Sequence, residues 1–435
     1  MAARIVIAGG GFGGFYAARM LERVLPEHGA HVTLVSEANF MLYTPLLPGA
    51  AGATLDPRHV VVPLRSQLRR TDVLIGNVTG AEPARAVLHV RRIDEEQIEL
   101  AYDQLLVALG SVSRTLPIPG LAEHATGLKS LSDATALRNR VLTCLDIAES
   151  LEDRVRRAEY LSFVFVGAGY AGLEGLAELQ DFAAQAIELY PRCRADGMRW
   201  VLVEAQNRIM LEVPASLSAF AERELRRRGI DIRTDTTLRA VTQSTATLSD
   251  GEVIPTRTLV WTAGVKPSPV VSDLGLPLDG HGRIIVDRSM HVLDYRCVWA
   301  IGDCAAVPDP GRRDGTCPPT AQHAIRQGRL VARNISAALR GGRVRPFRYR
   351  TAGVVAELGH NKAVAITLGV RWRGLPAWLI ARTYHLLLMP GTGRKLRLLI
   401  DWNVALLFGR DVSAPGRLGD ATPLQADERD QATPS

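Results

Sequence analysis

At 435 residues, with 47% hydrophobic and 22% charged content, the chain has the length for two or three domains and a composition that excludes a fibrous or wholly disordered protein. Its formal charge of +7 rests almost entirely on Arg, since Lys occurs only at 129, 266, 362 and 395, and such a balance suits nucleic acid, an anionic membrane or a polyanionic cofactor. No run of about 18 uncharged apolar residues predicts a transmembrane helix, and five cysteines without a C-x-x-C pair point to a reduced, cytoplasmic setting with neither a disulfide framework nor a metal site.

The N-terminus enters a strand directly, without the basic and apolar regions of a signal peptide. "RIVIAGGGFGGFYAARML" reads as a β-branched strand, a turn Gly9-x-Gly11-x-x-Gly14 and a helix. In that pattern Gly9 permits the tight turn, Gly11 lets a pyrophosphate approach the backbone, and Gly14 allows close helix packing. "HVTLVSE" follows as a second strand ending in Glu37, a carboxylate placed to accept ribose hydroxyls.

The pattern recurs in "YLSFVFVGAGYAGLEGLAEL", with Gly167, Gly169 and Gly172, and in "RWVLVE", which ends in Glu204. Glu204 lies further along than the roughly 20 residues expected, an excess taken up by the helix extension after the turn. An acid there repels a 2'-phosphate and favours NADH over NADPH, with Arg208 nearby as the opposing feature. Two such units in one chain imply two dinucleotides, and hydride transfer between nicotinamide and flavin is the chemistry they supply.

"PPTAQHAIRQGR" opens like a helix, and residues four apart share a face, so Gln322 and Arg326 project together. Gln327 cannot stand in for Arg326, because it falls roughly 140° away from Gln322 around the helix. A guanidinium at this place can donate to a ring carbonyl and stabilise an anionic reduced form. Its bulk can equally narrow a pocket against an apolar substrate, and a solvent-facing Arg is the plainer alternative.

Residues 370–411 interleave Leu, Ile and Trp with Arg371, Arg373, Arg382, Arg394, Lys395, Arg397 and Arg410. "PGTG" divides the tract into two helical segments, each amphipathic enough to lie in an anionic membrane surface. Packing on the protein body or a homodimer contact is the competing use. Nucleic acid is not expected, since no recognised motif accompanies the charge. Residues 412–435 read as a disordered tail.

With these segments in view, the chain resembles the flavin-dependent pyridine nucleotide oxidoreductases. The ordered set is the two Gly-rich turns, "LLVALGSVSRTLPIPG", "LVWTAGVKP" and "VWAIGDCAAV". The resemblance implies an α/β fold with two Rossmann-like domains, the NAD domain inserted in the FAD domain, and a C-terminal amphipathic helical module. It makes "VALG" and "WTAG" the places where the chain crosses between domains, and sets Asp303 against the FAD ribityl chain. "ANFMLYTPLLPGAAGATLDP" lacks cysteine, which argues against disulfide reductases and sulfide:quinone reductases. "YTPLLPGAAGATLDPRHVVVPLR", "PPTAQHAIRQG" and the C-terminal tract are similar to the type II NADH dehydrogenases, which pass electrons from NADH through FAD to a membrane quinone without pumping protons. In that family Gln stands at both helix positions where this chain has Gln322 and Arg326, and a carboxylate stands near the nicotinamide and flavin where it has Glu174.

The expected architecture is an FAD domain (1–112 and 285–345), an NAD domain (113–284) and a C-terminal module (346–411). FAD contacts are expected from Gly9, Gly11, Phe12, Gly13, Gly14, Glu37, Ala108, Gly110, Asp303 and Ala321. NADH contacts are expected from Gly167, Gly169, Gly172, Glu204, Ala263 and Gly264, with Glu174, Gln322 and Arg326 at the reacting centre. The leading expectation is an NADH:quinone oxidoreductase, peripheral on the inner face of the cell membrane. A soluble flavin reductase using oxygen or a partner redox protein, and an NADH sensor without turnover, are the alternatives.

Overall fold

The computed structural model describes residues 2–309, 311, 315–349 and 353–414. The chain begins with β1 (Ala3–Ala8), α1 (Phe12–Val24) and β2 (Ala30–Ser36), followed by a short helix α2 (Leu47–Ala51). A meander of β3 (Thr71–Glu82), β4 (Val87–Arg92) and β5 (Gln97–Ala101) leads to β6 (Gln104–Val107). The β-branched run of β1 suits a strand buried on both faces, and its residues Ile5 to Ala8 are all buried.

Beyond β6 a short strand, β7 (Ser111–Ser113), leads through β8 (Ala125–Thr126) into the long helix α3 (Leu131–Ser150). Ser130 and Asp133 close the N-terminus of α3 as a reciprocal capping box, satisfying backbone donors that the first turn leaves open. The second nucleotide unit is β9 (Ser162–Val166), α4 (Tyr170–Ala186), β10 (Arg199–Val203), β11 (Ile230–Arg233) and β12 (Thr258–Trp261). The chain returns through β13 (Val265–Pro267) to β14 (Val298–Ala300) and α5 (Ala321–Ala338). The segments "VALG" and "WTAG" each run into one of the short strands β7 and β13, which pair with each other antiparallel.

The first sheet has the order β14-β6-β1-β2-β3-β4-β5, and the second β8-β12-β9-β10-β11. Every pairing in the second sheet is parallel. Parallel sheets were expected in both units, and the first departs from this: β3, β4 and β5 pair antiparallel. Tight turns join those three strands, and a parallel pairing needs a crossover of a dozen or more residues. Helices α1 and α5 pack closely, with Gly328 of α5 against the Gly13 carbonyl.

The C-terminal module opens with an antiparallel meander, β15 (Gly353–Glu357), β16 (Ala363–Thr367) and β17 (Val370–Gly374). Only then come α6 (Leu375–Leu388) and α7 (Thr392–Phe408). Residues 370–411 therefore begin as a strand, not a helix, because Val370 to Gly374 hydrogen-bond to β16. Of the expected tail, residues from 415 onward lie outside the described residues.

Candidate active site

The first Gly-rich turn follows β1. Gly9 has φ 113°, and a Cβ there would stand 2.3 Å from the Ala108 carbonyl oxygen. A Cβ on Gly14 would stand 1.9 Å from the Gly9 carbonyl, so both positions exclude side chains. At Gly11 nothing lies within 4 Å of an added Cβ, which leaves backbone open at the N-terminus of α1, the geometry that receives a pyrophosphate. Gly13 packs on Ile301, and Phe12 meets Tyr43 edge to face at 5.6 Å. Glu37 is exposed just past β2 and its carboxylate is open to ribose hydroxyls.

Asp303 lies after the turn at Gly302, whose N–H donates to Gln327 Oε1 at 2.8 Å. Asp303 Oδ2 accepts from Ser111 Oγ at 2.6 Å, and Lys129 Nζ donates to the same hydroxyl at 2.9 Å. Ser111, Lys129 and Gln327 were missed in the sequence. No local pattern marks them, because strand order alone brings Ser111 and Asp303 together. These residues fit a flavin dinucleotide: the cradle is closed to Cβ atoms where the turn packs and open where phosphates would lie. Asp309, Cys317 and His323, for which no metal role was expected, bring ligand atoms within 4.8 Å of one another, with His323 Nδ1 held by Thr320 Oγ1 at 2.7 Å.

The second turn repeats the first. Gly167 has φ 104°, and a Cβ on Gly172 would meet Gly167 O at 2.0 Å and Thr262 Oγ1 at 2.4 Å. Glu204 braces the second turn. Its Oε2 accepts the Ala168 N–H at 2.7 Å and its Oε1 the Gln206 N–H at 2.9 Å, leaving each oxygen a further lone pair for a hydroxyl. Arg208, the opposing feature in the sequence, donates to the carbonyls of Met210, Leu211 and Val213 at 3.1 Å. Its guanidinium is committed to that loop rather than to a 2'-phosphate. Ala263 and Gly264 follow β12, with space open beside Gly264.

Glu174 is the fifth residue of α4, one turn in from the Gly-rich loop, and its Oε1 accepts the Glu357 N–H at 2.9 Å. Both carboxyls line a cavity of ≈ 20 Å³ with Pro45, Leu46, Glu178, Arg382 and Trp402, space for about one water. Burial raises Glu174 to about 8, with the Glu357 and Glu178 charges adding and the Glu357 N–H opposing, and raises Glu357 to about 7, with Glu178 adding and Arg382, Arg410 and the Trp378 indole opposing. Arg382 approaches Glu357 Oε2 at 3.7 Å and lies between two indoles, 4.7 Å from the Trp378 ring centre and 4.6 Å from that of Trp402.

At the start of α5, Thr320 caps the helix by accepting the His323 N–H, with Ala321 as the first helical residue. Gln322 and Arg326 do share a face. Tyr349 Oη donates to Gln322 Oε1 at 2.7 Å, Gln322 Nε2 donates to Gly353 O at 3.2 Å, and the Arg326 guanidinium stacks 4.1 Å from the Tyr349 ring centre. The solvent-facing alternative for Arg326 does not hold, since an aromatic face binds it. Tyr349 is a further site residue that sequence reasoning missed, because it lies in an irregular segment without periodicity.

The basic face expected of residues 370–411 is smaller than the sequence suggests. Arg410 is 8% exposed at its side chain; it donates to the carbonyls of Gly52 and Glu178 and to the Glu178 and Asp181 carboxylates. Arg382 is held against the rings of Trp378 and Trp402, its side chain 15% exposed. Arg371, Arg373 and Arg397 remain exposed, and beside them large apolar side chains face outward: Leu375, Leu379 and Leu387 on α6, and Leu396, Ile400, Val404, Leu407 and Phe408 on α7. Among the described residues no helix is long and apolar enough to cross a membrane.

A family model described as pyridine nucleotide-disulphide oxidoreductase matches residues 3–328. A type II NADH:quinone oxidoreductase of Mycobacterium tuberculosis is 32% identical over 94% of this chain and 89% of its own. A probable NADH dehydrogenase of Dictyostelium discoideum is 30% identical over 94% of this chain and 91% of its own. The chain belongs to the type II NADH dehydrogenase family. A solved structure of NDH2 from Plasmodium falciparum in complex with NADH superposes with a TM-score of 0.87 at 18% identity, covering 95% of this chain and 100% of that one. In this type II NADH dehydrogenase the segment after Glu37 lacks cysteine, which argues against a disulfide relay there despite the broader family name.

Proposed function

We propose that this type II NADH dehydrogenase is a peripheral membrane NADH:quinone oxidoreductase, drawing NADH from the cytoplasm and reducing a quinone at the inner face of the cell membrane. The observation that carries the reading is one molecule with two glycine-closed dinucleotide turns and, beside them, two helices whose apolar residues face outward. Residues 1–112 and 285–345 hold FAD, residues 113–284 hold NADH, and residues 346–411 form the membrane module. Bound flavin supplies the chemistry of accepting a hydride and passing its two electrons on.

The chain's own residues then have these parts. Gly167, Gly169 and Gly172 seat the NADH phosphates at the N-terminus of α4, and Glu204 accepts from the ribose while bracing the turn. Arg208, spent on its own loop, offers nothing to a 2'-phosphate. Glu174 holds a proton near neutrality beside the reacting rings. Gln322 and Arg326, ordered by Tyr349, donate to carbonyl oxygens of the quinone head group. The balanced reaction, NADH + H⁺ + quinone → NAD⁺ + quinol, takes one proton from the medium. Leu407 and Phe408, exposed at the end of α7, enter the acyl boundary.

Steady-state NADH oxidation by flavin-loaded protein, with and without a soluble quinone analogue, tests the reading. Quinone-stimulated turnover is expected, with NADH preferred over NADPH. Oxidation that no quinone accelerates would overturn it in favour of a soluble flavin reductase.

A further inference from the structure

The proton consumed in quinone reduction must reach a site that protein encloses. Four carboxylates cluster around α4 and the end of β15, Glu174, Glu178, Asp181 and Glu357, against three guanidiniums, Arg228, Arg382 and Arg410. One proton held among the carboxyls balances the cluster. Glu174 and Glu357 are the pair that share the water-sized cavity.

A second cavity of ≈ 310 Å³ adjoins the first, and the two share Thr54, Glu178, Arg382 and Trp402 in their walls. The outer one reaches His360, whose side chain is 59% exposed and whose Nε2 lies 2.9 Å from Asp181 Oδ1. Arg410 joins Asp181 to Glu178 at 3.4 and 3.0 Å. Polar groups thus run from solvent to the carboxyl pair between α4 and α7.

We propose that Glu357 is a proton relay for the quinone half-reaction, passing a proton to Glu174 and reloaded from solvent through the cavity walled by Glu178, Asp181, His360 and Arg410. The inference rests on the quinone reading. In each turnover the Glu174 O–H bond breaks as its proton moves to a reduced quinone oxygen, Glu357 re-protonates Glu174, and water at the His360 end re-protonates Glu357. The two electrons and the second proton arrive as the hydride of NADH. Burial, which lifts both carboxyls toward neutrality, keeps a proton available there; Arg382 and Arg410 oppose that lift at Glu357.

The test compares the flavin-loaded parent with Glu357→Gln and Glu357→Asp across pH. Stopped-flow reduction by NADH should stay within about twofold, while quinone-dependent turnover of Glu357→Gln falls by at least ~10-fold at alkaline pH. Its alkaline limb should move to lower pH and its solvent isotope effect rise, with Glu357→Asp restoring the parent profile. A protonated-carboxyl infrared band titrating near neutrality should shift in Glu357→Gln without any quinone present. An unmoved pH profile together with an unshifted band would overturn the relay alone. A parent that accepts hydride but reduces no quinone would overturn the functional reading and the relay with it.

Discussion

The Arg326 guanidinium stacks 4.1 Å from the centre of the Tyr349 ring, and the same tyrosine's hydroxyl donates to Gln322 at 2.7 Å. One aromatic residue therefore orders both polar groups on this face of α5. A cation over a tyrosine face contributes about 0.5–2 kcal/mol, and a neutral hydrogen bond about 0.5–1.5 kcal/mol. Arg326→Gln is expected to lower kcat/KM for quinone by roughly 2- to 30-fold, and Tyr349→Phe, which keeps the ring and loses only the hydroxyl's bond, by roughly 2- to 13-fold. Pre-steady-state reduction by NADH should change little. Equal effects on both half-reactions would move these residues out of the quinone pocket.

Glu204 braces the second turn, and the proposed reading also gives it the ribose. Glu204→Ala should erode the preference for NADH over NADPH, read as the ratio of kcat/KM values. It should also cost about 1–3 kcal/mol at the Ala168 N–H that loses its acceptor, so thermal stability should fall in the same variant. Unchanged discrimination would place the ribose elsewhere.

The buried carboxyl of Glu174 has a stability signature. Its pKa rises from 4.5 to about 8 on folding, mainly through burial, so between those values the native state holds a proton that the unfolded chain has released. Stability from this group is present at pH below 4.5 and is lost as pH rises through about 8. Glu174→Gln should flatten the decline of Tm across that window. A variant as steeply pH-dependent as the parent would refute the shift.

Membrane attachment should follow the apolar face rather than total charge. Burying a Leu or Phe side chain contributes about 1.5–3 kcal/mol, so Leu407→Glu with Phe408→Glu should abolish sedimentation with anionic vesicles while sparing turnover with a water-soluble quinone. Persistent sedimentation would assign these side chains to a contact between copies of the chain.

Local signals in the sequence were strong where glycine geometry decides. Both nucleotide turns were legible because Gly9, Gly14, Gly167 and Gly172 stand where a Cβ cannot. What the sequence hid lies in groups that topology assembles. Ser111 meets Asp303 across the sheet order, Tyr349 reaches Gln322 from a loop, and Glu357 joins Glu174 from a strand that composition had assigned to a helical module. The charge of residues 370–411 misled for a related reason. Hydropathy counts Arg382 and Arg410 as surface cations, yet the tract's own indoles, Trp378 and Trp402, hold the first and carboxylates of the distant helix α4 draw in the second. Hydrogen bonds to β16 made a strand of Val370–Gly374, where periodicity suggested the start of a helix.

Arg410 also constrains the order in which the molecule can be built. It is the ion-pair partner of Glu178 among the described residues, and a buried charge without its partner is costly. Chains emerge from the ribosome N-terminus first, so α4 is made long before Arg410, and Glu178 must wait, solvated, until the chain through residue 410 is out. Docking of the last helix then seals that face of α4. A chain cut short before residue 410 would be left with its nucleotide unit unsealed, a state that quality-control proteases can recognise.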